Sequence, residues 1–140
     1  MREMLSGLLS ALAYGGVGIA LLALGYLLVD LVTPGNLRRQ IWEQRNRNAA
    51  LVLVSGLAAV AIIVTTAILT SEDGLLLGLL STALYGVLGI LVMAVAFVLL
   101  DLATPGRLGA LLVDEAPHPA VWVTAAVNLA VGAITAAAIS

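Results

Sequence analysis

A chain of 140 residues that is 62% hydrophobic and 10% charged departs from soluble domains, which run at about 45–50% apolar and about 25% charged. Its net charge of −2 supplies no electrostatic footprint for nucleic acid. The absence of cysteine removes disulfides, thiolate metal sites and thiol catalysis together.

Four uncharged runs organise the chain: residues 4–29, 49–71, 74–100 and 121–140, of 26, 23, 27 and 20 residues. Each exceeds the roughly 18 apolar residues that mark a membrane span. At about 1.5 Å per residue, each can cross a hydrocarbon core of about 30 Å. Before the first run stands Arg2, and Ala11-Leu12-Ala13 within it resembles a leader-cleavage site. The apolar stretch ahead of that site is too short for a leader, and the same region recurs later, so the run is read as a mature span. It ends at Asp30-Leu31-Val32-Thr33-Pro34-Gly35. Pro34 cannot donate a backbone hydrogen bond and biases Thr33 away from helix, while Gly35 can take positive φ. The following connector, with Asn36 as its expected N-cap, carries Arg38, Arg39, Arg45 and Arg47 against one acid, Glu43. Leu37 and Ile41 fall on one face with Trp42 beside them, which predicts a short interfacial helix on an anionic surface. The second and third spans are joined by Ser71-Glu72-Asp73-Gly74. The third span ends at Asp101-Leu102-Ala103-Thr104-Pro105-Gly106, and a more apolar and acidic connector with Leu108, Leu111, Leu112, Asp114 and Glu115 leads to the fourth. His118 is read as a loop residue near the headgroups, since one histidine cannot make a multi-histidine metal site.

The two halves are related. A displacement of 71 positions aligns Ser10 with Ser81, Tyr14-Gly15 with Tyr85-Gly86, Gly18 with Gly89, Asp30 with Asp101, and Thr33-Pro34-Gly35 with Thr104-Pro105-Gly106. Such a repeat is the strongest organisational signal in the chain. It predicts an all-α integral membrane protein forming one membrane domain over 1–140, with repeat 1 at about 5–70 and repeat 2 at about 76–140. The four transmembrane helices then form two parallel two-helix repeats with short interfacial connector helices, about an approximate two-fold axis along the membrane normal. Both Thr-Pro-Gly turns fall on one side at one depth. Five arginines on the connector side, Arg107 included, against Arg2 alone on the other place the turns in the cytoplasm and both termini outside.

The doubled span, the twice-occurring Asp-Leu-x-Thr-Pro-Gly-x-Leu turn and the Ile41 to Asn48-Ala49-Ala50 stretch resemble the small bacterial membrane-protein family catalogued as domain of unknown function 350. The resemblance covers essentially the whole chain. It implies a four-span protein of the bacterial inner membrane with no assigned chemistry. The match is imperfect at Asn48, whose counterpart in the second half is Pro119, within Ala116-Pro117-His118-Pro119.

Asp30 and Asp101 are the candidate functional acids. An acid in the last turn of a helix faces the negative end of the helix dipole, at a cost of about 0.3–1 kcal/mol. One reading makes them a carboxylate pair flanking the pseudo-two-fold axis, able to share a proton or attract a cation. The other has each carboxylate accept N–H groups from its own connector helix, with Arg38 or Arg39 able to neutralise Asp30. On a helical wheel of about 100° per residue, Gly7, Ser10, Ala11, Tyr14, Gly15, Gly18 and Gly25 share a face about 140° wide, and Asp30 points about 130° from its middle. That stripe, repeated as Gly78, Ser81, Thr82, Tyr85, Gly86 and Gly89, is expected to pack helices closely, because membrane helices associate through backbone approach. Asn128, spaced by four from Gly132 and Ala136, needs a hydrogen-bonding partner and is read as packing glue. The expected partners are the lipid bilayer and further copies of the chain or another membrane protein. No cofactor or metal is expected. No phosphate loop, His/Glu pair or activated nucleophile is present in the sequence, so the chain is not expected to be an enzyme. Two functions compete: a structural or scaffold subunit of the cell envelope that self-associates, and a small ion or proton channel using Asp30 and Asp101.

Overall fold

A run of apolar residues inside a bilayer has one way to satisfy its backbone without water, which is to close every N–H onto its own helix. The computed structural model describes residues 1–32, 37–71, 74–103 and 119–140. Four long helices result: α1 (Arg2–Val32), α3 (Arg47–Leu69), α4 (Leu75–Ala103) and α5 (Pro119–Ile139), with a six-residue α2 (Leu37–Trp42) between the first two. No strand is present among the described residues. All four long helices are long and apolar enough to cross a membrane. The chain is an all-α integral membrane protein. Several hydroxyls inside the spans bond within their own helices, as in Ser55 to Val52 O at 2.9 Å, Thr66 to Ile62 O at 2.9 Å and Thr124 to Ala120 O at 2.8 Å. Their polar groups therefore ride in apolar surroundings at little cost.

α3 sits at the centre. Half of its most apolar stretch is buried, against 17–22% for the other three spans. It packs most extensively against α5, and also against α1 and α4, while α4 also touches α1 and α5. No substantial contact joins α1 to α5, so these two helices occupy the outer corners. The reason is written in small residues. Gly132 of α5 lies so close to α3 that a Cβ there would fall 2.8 Å from Ala59 Cα. Gly25 of α1 receives Val60, Gly86 of α4 receives Leu21, and Gly89 of α4 receives Ile63.

The buried apolar residues fall into two clusters along α3. One, near the connector, gathers Val29, Leu37, Ala49, Val52, Leu53 and Val121. The other gathers Leu21, Ala59, Val60, Ile63, Val64, Ile90 and Met93. Between them on α3 stand Ser55 and Gly56, and Asn128 Nδ2 donates to Ser55 Oγ at 3.0 Å. Asn128 thus bridges α5 to α3 across an otherwise apolar seam.

The helices differ in length. α1 and α4 have 31 and 29 residues and α3 and α5 have 23 and 21, or about 46, 44, 35 and 32 Å at 1.5 Å per residue. Tyr14 OH lies 3.1 Å from Ser71 Oγ, just past the end of α3. The first dozen residues of α1 therefore extend past α3, with Met4, Leu5, Leu8, Leu9 and Leu12 all more than half exposed.

Candidate functional site

The connector corner brings together most of the polar side chains that the sequence singled out. Asp30 closes α1, and its Oδ1 accepts a hydrogen bond from Leu37 N at 3.0 Å. The carboxylate thereby holds the start of α2 directly under the end of its own span, and Leu37 is wholly buried in the core cluster. α2 ends where Arg39 O accepts from both Glu43 N and Gln44 N at 3.0 Å. The chain then reverses through Arg45, whose φ of 54° lies in the left-handed region, a conformation costly for a residue with a Cβ. Asn46 N donates to Gln40 O at 2.8 Å. The Asn46 side chain caps α3, with Oδ1 accepting from Ala49 N at 3.1 Å. Asn46 and Asn48 are both buried. The sequence analysis did not single out Asn46, although an asparagine immediately before a helical run, where its side chain can accept an N–H of the first turn, is a recognisable capping signal.

Outside this buried corner the surface is basic. Arg38, Arg39, Arg45 and Arg47 are all exposed, as is Trp42. Arg39 Nε pairs with Glu43 Oε2 at 3.4 Å, with both side chains about 70% exposed. An open groove of about 710 Å³ runs along this face, lined among the described residues by Arg38, Arg39, Trp42 and Glu43. Arg45 and Arg47 do not line it.

Asp101 lies in the last turn of α4. Gly25 faces Val60 and Gly56 faces Val29, while Gly89 faces Ile63 and Gly86 receives Leu21. Thr33, Pro34, Gly35 and the expected cap Asn36, with Thr104, Pro105, Gly106 and the second connector, lie outside the described residues.

The small-residue stripe divides in use. In α4, Gly78, Gly86 and Gly89 are buried. In α1 the glycines of the stripe that pack lie in its second half: Gly25 is buried, as are Leu21 and Val29 a turn to either side, and Gly18 meets Val64 Cγ1 at 3.7 Å. Gly7 and Gly15 do not pack within this chain, because no described residue lies within 4 Å of where their Cβ atoms would be. Thr82 is fully buried, and its Oγ1 has no hydrogen-bond partner among the described residues. Among the described residues no group of three or more His, Asp or Glu could hold a metal ion.

The family model described as Domain of Unknown Function (DUF350) matches residues 3–139. A UPF0719 transmembrane protein of Mycolicibacterium paratuberculosis is 35% identical over 140 residues, covering all of this chain and 93% of the relative. UPF0719 transmembrane proteins of Mycobacterium bovis and Mycobacterium tuberculosis are each 40% identical over the same length, with 92% of the relative covered. No solved structure matches the chain.

Proposed function

The chain belongs to the DUF350 family, and from that premise we propose that it is a non-catalytic assembly subunit that self-associates through its outer helices. It resides in the bacterial inner membrane with its basic connector toward the cytoplasm and both termini outside, following the arginine bias. One observation carries the reading. α3 and α4 pack together by seating Ile63 on Gly89, where a Cβ would stand 2.8 Å from Ile63 Cδ1. The positions 71 residues away, Gly18 on α1 and Ile134 on α5, are the same hole and the same knob, yet their helices make no substantial contact. Ile134 is 68% exposed, and Gly18 has only Val64 within 4 Å. A second copy can supply the missing contact, α5 of one chain against α1 of the next, with the antiparallel sense that α3 and α4 already use. Close backbone approach of this kind drives helix association in lipid.

The competing ion-pathway reading has less support. The Asp30 carboxylate is engaged by Leu37 N–H.

Paired cysteines test the reading in a chain that has none of its own. Two differently tagged copies, one with Gly18→Cys and one with Ile134→Cys, are co-expressed and oxidised in the membrane. A disulfide needs Cα atoms about 4.4–6.8 Å apart, so the crosslinked pair is expected only if these helices meet. Gly16→Cys in place of Gly18→Cys is expected to crosslink poorly. No crosslink, or equal crosslinking from Gly16→Cys, overturns the reading. Proton or potassium flux into liposomes that is lost in Asp30→Asn plus Asp101→Asn, with helicity unchanged, would replace it with the channel.

A further inference from the structure

The way the two helix pairs meet says more than a single crossing does. α1 packs on α3 as α4 packs on α5, while α4 also touches α1 and α5 also touches α3. A two-fold exchange of the halves would turn the α3–α4 contact into an α5–α1 contact, and those two helices make none of substance. The pairs therefore lie side by side, rather than facing each other about the expected two-fold axis. A relation of this kind does not close on itself. Each half meets its neighbour through one surface and leaves the corresponding surface at the far side uncovered, so the pattern continues into a further unit. Resting on the self-association proposed above, we infer that copies inserted in the same sense join head to tail. α4 and α5 of one chain lie against α1 and α3 of the next, repeating the seam between the chain's own halves.

The contacts of that internal seam specify the new one. Leu21 sits on Gly86; displaced by 71 positions, the pair becomes Val92 of one copy on Gly15 of the next. Gly132 lies against Ala59; the same displacement gives Ala130 against Ala61. The internal partners Leu21, Gly86, Ala59 and Gly132 are all buried. Their four counterparts are all exposed. No described residue lies within 4 Å of a Cβ at Gly15, so a hole matching the filled one at Gly86 stands open. Gly15, Ala61 and Ala130 leave no bulky side chain between the backbones, as close association in lipid requires. Val92, the knob, is β-branched like Ile134, the knob of the α5–α1 crossing. Both knobs and both holes thus belong to one continuous surface, and the occupant that matches it throughout is another copy of this chain.

Cysteines at exposed positions test the seam. Gly15 lies six residues before Leu21, and Val92 six after Gly86. On two helices of the same sense this separates them by about 18 Å within one chain, beyond the reach of a disulfide. Chains carrying Gly15→Cys and Val92→Cys together are oxidised in the membrane and separated without reductant, and a ladder through trimer and beyond is expected. Differently tagged copies, one with Ala61→Cys and one with Ala130→Cys, are expected to crosslink to each other. Gly15→Phe fills the open hole and is expected to abolish that second product, because both contacts belong to one seam. Native mass spectrometry of the chain without cysteines gives a count independent of their placement, and more than two copies are expected. Products that stop at dimer, a two-copy assembly, or an Ala61–Ala130 crosslink unchanged by Gly15→Phe would overturn the head-to-tail seam. Crosslinking of Gly18→Cys to Ile134→Cys while neither new pair reacts would overturn it and leave self-association standing. No product from any of the three pairs would remove both.

Discussion

Gly132→Ala is the most direct probe of what holds the bundle together. The added Cβ would stand 2.8 Å from both Ala59 Cα and Ala59 Cβ and 3.1 Å from Ala59 O. None of these atoms can rotate away. Carbon contacts settle at about 3.5–4.0 Å, so α3 and α5 must separate by about 0.7–1.2 Å at their crossing. Asn128 is one turn away on the same helix, and its 3.0 Å bond to Ser55 Oγ would stretch to about 3.7 Å, beyond hydrogen-bonding range. Overpacking costs about 1–3 kcal/mol, and the lost interhelical bond adds about 0.6 kcal/mol. Alanine returns about 0.5–1 kcal/mol of helix propensity over glycine. The expected net loss is about 1–3 kcal/mol. Unfolding in mixed micelles titrated with dodecyl sulfate and followed by far-UV circular dichroism measures it. Gly16→Ala is the control, since nothing lies within 4 Å of its Cβ position, and it is expected to leave stability unchanged or raise it slightly. A Gly132→Ala protein as stable as its parent, or an equal loss in Gly16→Ala, would refute the close-approach account of the α3–α5 seam.

Three further outcomes are expected. Asp30→Ala leaves the Leu37 N–H without its acceptor and should cost about 1 kcal/mol, in line with lost caps, while Asp30→Asn keeps an acceptor oxygen and should lose less; the same unfolding titration, with tryptic cleavage at Arg38 as a local readout, separates them. A double-mutant cycle on Ser55→Ala and Asn128→Leu should return a coupling of about 0.6 kcal/mol, the average for interhelical bonds in membranes, and a zero coupling would remove Asn128 as a bridge. Thr82→Val replaces a buried hydroxyl that has no partner among the described residues with a methyl of similar shape, so it should be neutral or stabilising by about 1 kcal/mol, measured as a shift of the unfolding midpoint.

The four spans were legible because uninterrupted apolar length is itself the physical requirement for crossing a bilayer. α3 begins at Arg47 and α4 ends at Ala103, each within a few residues of the uncharged runs. Rotation and register were not legible. Hydropathy treats Gly15 and Gly86 alike, yet Leu21 covers Gly86 and no described residue covers Gly15, since the outcome depends on which way each helix is turned toward its neighbours. The seating of Leu21 on Gly86 likewise has no signature in the repeat, since the 71-residue displacement does not pair these two positions. At the corner, the arginine bias and the acid ahead of the turn were plain in the sequence. The capping role of Asn46 and the groove beside Arg38 and Trp42 arise only after α2 folds back under α1.

The unequal lengths of the helices have a consequence for the surrounding lipid. Two helices of about 44–46 Å stand beside two of about 32–35 Å, and the longer pair is accommodated by tilt, by overhang or by a thicker bilayer beside it. Deformation costs fractions of a kcal/mol per ångström, and neighbouring proteins with thick annuli would share it. The chain should therefore gather in the thicker regions of a mixed membrane, sorted by its profile before any specific contact forms.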